Sequence, residues 1–326
     1  MKTILVAGAT GNQGGSVAKL LLKYPEQYTV RCLTRDPTSA NAKALAQQGA
    51  EIVQGDLGKP STLSGALEGC WGVFAVTNFY DSTISNDPMS EEQQGRNLAK
   101  AALDAGVQCY IWSTQPSVTR LSRGEFSTPL CDGKLGVSPL SGVYIHIYTG
   151  KSRVDDYIRE IGLQSVFIAT GNFYENLVLR GHVSYDKETD TIMYRHAILK
   201  PDAQMSMLYV EKDLSALVKA VFDQWDERKD ELTEKYLYVG SAPSTPMDVV
   251  AAIEKASGKK CNYVVLPTST GVKERDTMIH FYNTFGMRPG IMLPDPEVLK
   301  LGVKLHSTDD YVRERLLPHL GLEVVN

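Results

Sequence analysis

The 326-residue sequence predicts an α/β protein, a doubly wound parallel sheet with a smaller α+β region behind it. Three observations lead there. Short apolar runs alternate with helical patterns through the first half of the chain. A glycine-rich turn, GATGNQG at 8–14, separates the first run from the first helix. Past about residue 173 the alternation gives way to a mixed pattern. Strands that alternate with helices of this length imply βαβ crossovers and a parallel sheet covered on both faces.

The elements follow in order. Thr3–Ala7 is nearly continuous apolar and too short for a helix, hence a buried strand. Gly15–Lys23 carries Val17, Leu20 and Leu21 at helical spacing. Tyr28–Leu33 is the second strand, Thr38–Gln48 a helix stopped at Gly49, and Glu51–Gln54 a third strand closed by Gly55-Asp56. Pro60–Leu67 reads as helix, Gly72–Val76 as strand, Ser90–Ala105 as a long helix and Gln108–Trp112 as the fifth strand. The segment 115–143, dense in glycine and proline, reads as a long loop at the carboxyl edge of the sheet. A helix over Lys151–Ile161 and a sixth strand over Ser165–Thr170 complete the first region, residues 1–172. In the second, 173–326, a hairpin around Ser184–Tyr194, helices at Lys212–Trp225 and Pro246–Ser257, strands at Tyr236–Val239 and Asn262–Leu266 and a largely helical tail are expected, with some of this region contributing back to the main sheet.

Composition excludes several classes. With 43% hydrophobic residues, 22% charged and a net charge of -4, the chain suits a globular protein and offers no basic surface for nucleic acid. The five cysteines are scattered with no C-x-x-C pair, which fits free thiols in a reducing compartment. The six histidines are dispersed and no metal-ligand spacing occurs. Neither a signal peptide nor a membrane-spanning run is present, so a cytoplasmic and possibly nuclear protein is expected.

The glycine turn is the strongest chemical signal. Lying between a strand and a helix, it matches the dinucleotide-binding fingerprint of Rossmann folds. Gly8 permits the tight turn, Gly11 leaves room for a pyrophosphate, and Gly14 lets helix and strand pack. Thr10, Asn12 and Gln13 belong to the same candidate cradle. At the end of the second strand, where an acidic residue would grip a ribose 2′-hydroxyl, stands Arg35, with Thr34 beside it and Lys43 further on. A guanidinium there suits a 2′-phosphate and favours NADP over NAD; pairing of Arg35 with the adjacent Asp36 is the alternative. Asp56 and Leu57, and then Thr77, Asn78 and Phe79, end the next strands in the same groove, Asp56 either facing the adenine or capping its own turn.

Together GATGNQGG at 8–15, VRCLTRDP at 30–37, QGDL at 54–57, GVFAVTNF at 72–79, YIWST at 110–114, the helix opened by Lys151 and GNFYENL at 171–177 resemble the NmrA-like family, a branch of the atypical short-chain dehydrogenase/reductases. The resemblance covers nearly the whole chain. It implies a Rossmann fold with a small C-terminal domain, NADP(H) as cofactor, Asn172 and Phe173 as further cofactor contacts, and a protein partner such as a transcription factor, with a homodimer possible.

The parent reductases use a Tyr-x-x-x-Lys pair, in which the lysine holds the nicotinamide ribose and lowers the pKa of the proton-donating tyrosine. Lys151 is present, but Ile147 stands four residues before it and Tyr148 three. Ser113 falls where those enzymes keep their third catalytic residue. The departure at Ile147 favours an NADP(H)-binding regulator or redox sensor working through protein partners. The alternative is an NADPH-dependent reductase of a small carbonyl or enone using Tyr148 and Lys151, its pocket drawn from Phe79, Tyr148, Phe173, Tyr174 and 279–282.

Overall fold

The structure is a computed structural model that describes residues 1–77, 89–117, 146–271 and 273–325, the side chains of 89–90, 146–149 and 273–274 excepted. Strands β1 (Lys2–Val6), β2 (Tyr28–Thr34), β3 (Glu51–Gln54), β4 (Gly72–Ala75), β5 (Cys109–Thr114) and β6 (Ser165–Thr170) lie parallel in one sheet. Between them run helices α1 (Asn12–Leu21), α2 (Ala40–Gln47), the short α3 (Ser64–Leu67), α4 (Met89–Asp104) and α5 (His146–Glu160). The two-residue strands β7 (Asn172–Phe173) and β10 (Met207–Leu208) pair with each other in a separate small sheet. β8 (Val183–Asp186) and β9 (Thr191–Ala197) form the expected antiparallel hairpin, and β12 (Cys261–Leu266) adds to β9. β11 (Tyr236–Val239), far along the chain, joins the large sheet next to β6.

The strand order β11-β6-β5-β4-β1-β2-β3 reverses direction of growth between β1 and β4. That reversal opens a crevice at the carboxyl ends of the strands, where doubly wound sheets take their ligands.

Side chains alternate across the sheet, as the pleat requires. Ile4, Val6, Phe74, Ile111 and Ile168 face one side, packed by Val17 and Leu21 of α1 and by Leu217, Val221 and Phe222 of a long helix, Ser215–Leu232. Leu5, Val73, Trp112 and Phe167 face the other, under Leu98 and Ala102 of α4 and Val154 and Ile158 of α5. Tyr174, Tyr209, Tyr311, Val249, Ile253 and Phe281 build a separate apolar cluster in the C-terminal part.

Three boundaries differ from the sequence expectation for identifiable reasons. The Pro60–Leu67 segment is a 3₁₀ turn followed by a single α-turn, because the Thr62 amide, donating to the Lys59 carbonyl three residues back, closes a tight loop first. The Ser215 helix runs to Leu232, past Trp225, because Leu232 is buried and extends the apolar face beyond the obvious periodicity. Helix α5 begins at His146, before Lys151. Among the described residues Cys32, Cys70, Cys109 and Cys261 are buried and free, no metal-binding group of acidic, histidine and cysteine residues occurs, and no helix is long and apolar enough to cross a membrane.

Candidate functional site

The crevice is a cleft of about 470 Å³ bounded by the glycine turn and by the ends of β2, β3 and β4. Its floor is backbone. Gly8 sits at φ +61, the left-handed region that side chains avoid. A Cβ on Gly14 would lie 2.5 Å from the Ala7 carbonyl oxygen and would overlap that of Gly8, so helix and strand could not close together. A Cβ on Gly11 meets only the Gly8 carbonyl, at 3.4 Å, and otherwise projects into the cleft that Gly11 lines.

Helix α1 starts at this floor with no capping side chain and no acidic residue in its first turn. Its leading amides and the positive end of its dipole therefore remain for an anionic ligand. The Asn12 Nδ2 is buried without a hydrogen-bond partner, a further donor in want of an acceptor. These features fit a dinucleotide pyrophosphate. Thr10, Gln13 and Gly14 line the same wall, and Thr10 is fastened from outside by Asn41 Nδ2 at 3.0 Å to its carbonyl.

Thr34, Arg35, Asp36 and Ser39 form the next stretch of wall. The Asp36 carboxylate accepts from the Thr38 amide at 2.8 Å and the Thr38 hydroxyl at 2.6 Å, which holds its pKa down and folds it onto its own turn. Arg35 is exposed at the cleft wall. Lys43 is exposed on α2 and is not one of the lining residues. The Asp56 carboxylate accepts from the Gly58 amide at 2.9 Å, the turn cap that was one of its two expected roles, and Asp56 also lines the cleft. Leu57, Val76, Thr77 and Phe173 continue the wall, while Asn172 turns its amide toward the Met207 sulfur at 3.7 Å. Asn78 and Phe79 lie outside the described residues, as does the loop 118–145.

Thr77 connects the cleft to a buried charge pair. Its hydroxyl donates to Glu91 Oε1 at 2.8 Å and accepts from Lys151 Nζ at 3.0 Å. The ammonium also donates to the Ser113 carbonyl at 3.2 Å and stands 3.5 Å from Glu91 Oε1. Glu91 is 2% exposed and Lys151 8%, so each would be intolerable without the other. The second carboxylate oxygen of Glu91 is buried and has no partner among the described residues. Ser113 gives its hydroxyl to Gln13 Oε1 at 2.7 Å, tying the end of β5 to the glycine turn.

The helix that carries Lys151 is anchored one turn further along. Asp155, fully buried, accepts from Trp112 Nε1 at 2.9 Å, Thr114 Oγ1 at 2.7 Å and the Tyr236 hydroxyl. Burial nonetheless pushes its carboxyl up to about 6, against the pull of those donors. Tyr148 falls within α5, three positions before Lys151, so the early start of the helix puts both in one regular turn; its side chain is outside the described ones.

Sequence reasoning missed Glu91, Asp155, Ser39 and Gln94. Ser39 had a legible signal, a serine at a helix start, and it caps α2 by accepting from the Ala42 amide. Gln94, which lines the cleft, and the two acids carried none, since their partners are distant in the chain.

Strand order, glycine turn and cleft together define a Rossmann-type protein with a crevice at the switch point of its sheet. The sequence profile of the NmrA-like family matches residues 1–289, and the chain belongs to that family. It is 29% identical to the NmrA-like family domain-containing oxidoreductase ptmS of Penicillium ochrochloron, over 98% of this chain and 95% of that one. Among solved structures it resembles NmrA, a negative transcriptional regulator, in complex with NADP, at TM-score 0.74 and 20% identity over 96% of this chain and 95% of that one. It also resembles the triphenylmethane reductase of Citrobacter sp. complexed with NADP(H), at TM-score 0.65 and 19% identity over 95% and 99% of the two chains.

Proposed function

We propose that this chain is an NADP(H)-dependent reductase of a small carbonyl or enone. The observation that carries the reading is the buried Lys151–Thr77–Glu91 chain, which reaches the cleft wall through Thr77. Binding a pyrophosphate and a 2′-phosphate needs nothing there, and a buried ion pair adds little net stability over apolar packing. Its presence is best accounted for by chemistry. The oxidoreductase naming of the ptmS relative, similar over almost its full length, supports the same reading.

Bound in the cleft, NADPH would supply a hydride. The chain's own residues do the rest. Gly11, Asn12 and the α1 amides hold the pyrophosphate, and Arg35 the 2′-phosphate. Two of the three Lys151 N–H groups have firm acceptors in Thr77 and Ser113, which leaves one for a ribose hydroxyl. Glu91 is the counter-charge of that ammonium, and Tyr148 is the candidate donor of the proton that the substrate oxygen gains.

The test is NADPH consumption against a panel of aldehydes, ketones and enones. Turnover is expected, and Tyr148→Phe should lower it about 100-fold, the usual share of a positioned general acid, with NADPH binding retained. Tight NADPH binding without turnover of any member would overturn the reductase reading. It would favour the second one, a redox sensor acting on a protein partner such as a transcription factor, for which Ile147 at the tyrosine's place is the specific argument.

A further inference from the structure

Arg288 has no use in the scheme above, and its surroundings are unusual. The residue is only 9% exposed. Its Nη2 donates to Gln115 Oε1 at 2.6 Å and to the Thr170 carbonyl at 2.5 Å. Gln115 in turn donates to the same carbonyl at 3.0 Å and to Thr170 Oγ1 at 2.9 Å, so the three groups form one rigid knot. The neighbouring backbone is fixed as well, the Met287 amide donating to the Gln204 carbonyl at 2.8 Å. Among the described residues Nη1, itself buried, has no acceptor. No carboxylate among the described residues pairs with this guanidinium.

A guanidinium cannot shed its charge by losing a proton, and neutral oxygens do not balance it. Buried charges in proteins are paired, so a buried arginine with an idle Nη1 lacks its anion. If Arg288 served only to tie its segment to the sheet, Nη2 would suffice and Nη1 would be a cost without return. Its position adds the second argument. Gln115 directly follows β5, two residues past Ser113, whose hydroxyl holds Gln13 of the cleft. Thr170 ends β6, three residues before Phe173 of the cleft wall. Arg288 thus sits at the carboxyl edge of the sheet, where ligands of doubly wound folds bind.

We propose that Arg288 is an anion-recognition residue and that the small molecule taken at this edge carries a carboxylate. The single charge of the guanidinium matches that of a carboxylate, and the idle Nη1 has two N–H groups to give it. A phosphate, close to a dianion at neutral pH, would keep half its charge uncompensated. Calling that molecule the substrate rests on the reductase reading; the anion site itself does not.

Two measurements on the full-length protein with NADP(H) added test it. Crystals soaked in iodide should show an anomalous peak against Nη1. Benzoate, titrated while the fluorescence of bound NADPH is followed, should bind at least tenfold more tightly than its neutral counterpart benzamide, and Arg288→Met should erase that preference. An empty Nη1 in the soaked crystals, a carboxylate of the chain itself seated there, or equal affinity for benzoate and benzamide would overturn the proposal. The iodide soak needs no variant, so a poorly folding Arg288→Met cannot obscure the outcome. Both readouts report binding: an occupied site without turnover would count against the reductase reading alone, and turnover with an empty Nη1 against the anion site alone.

Discussion

At its glycine end the cleft is walled by backbone contributed by one short stretch, Gly8 to Gly14, whereas at its other end the Thr77 side chain joins the wall to the buried Glu91–Lys151 pair behind it. The first end works by the absence of side chains and by a helix dipole. The second works by burying opposite charges together. A backbone site fails when something is added to it, and a charge site fails when something is taken away. That difference decides how each end responds to mutation.

Adding one methyl group at Gly14 should have the largest effect. The Ala7 and Gly8 carbonyls have nowhere to go, so Gly14→Ala should lose about 5 kcal/mol of stability or leave no folded protein, read by urea unfolding. Gly11→Val is the matched control, since its side chain enters the cleft: the fold should persist and NADPH binding should vanish in calorimetry. Equal stability of the two variants would break the comparison.

At the other end Lys151→Met should cost about 3–5 kcal/mol by stranding Glu91, as removal of one partner of a buried pair does. Adding Glu91→Gln to it should return most of that loss, because no charge is then left buried. A double variant no more stable than the single one would show that the two charges do not act as a pair.

The Asp155 anchor yields a pH signature. Its carboxyl titrates at about 6 in the fold against about 3.9 in the unfolded chain. The folded protein therefore holds the extra proton between those values, and this group's contribution to stability falls as pH rises from about 4 to about 6, then stays constant. The span amounts to about 3 kcal/mol, so the stability difference between Asp155→Asn and the wild type should shift by that order across the window. A pH-independent difference would mean that the carboxyl is not perturbed.

The smallest effect belongs to the rim. Arg35→Ala should weaken NADP binding by about 1.5–3 kcal/mol, the worth of a hydrogen bond to a charged group, and leave NAD binding unchanged. Equal losses for both nucleotides would remove Arg35 from 2′-phosphate recognition.

The same contrast explains what the sequence disclosed. Gly8, Gly11 and Gly14 announce themselves because their spacing, their strand and their helix are contiguous, and the strands β3 and β6 were readable to the residue for the same local reason. Glu91 opens a helix whose polar face looks ordinary, and its partner Lys151 lies on a different element. Asp155 reads as a surface position of an amphipathic helix until Trp112 and Tyr236 surround it. Arg288 has no periodic pattern to betray its burial. Pairings across long separations leave no trace in a single chain, and the buried cluster around Lys151 consists of little else.

Strand β11 lies nearly seventy positions after β6 in the order of synthesis yet completes the sheet beside it, with the Ser215–Leu232 helix covering the face behind. A ribosome releasing this chain therefore exposes an apolar open edge at β6 until about residue 239 has emerged, roughly 3–14 seconds at ordinary elongation rates. During that interval the nascent chain offers unpaired amides and carbonyls to any neighbouring strand. Nascent-chain helpers should engage it there, and truncation before β11 should give aggregates in place of a free-standing nucleotide-binding module.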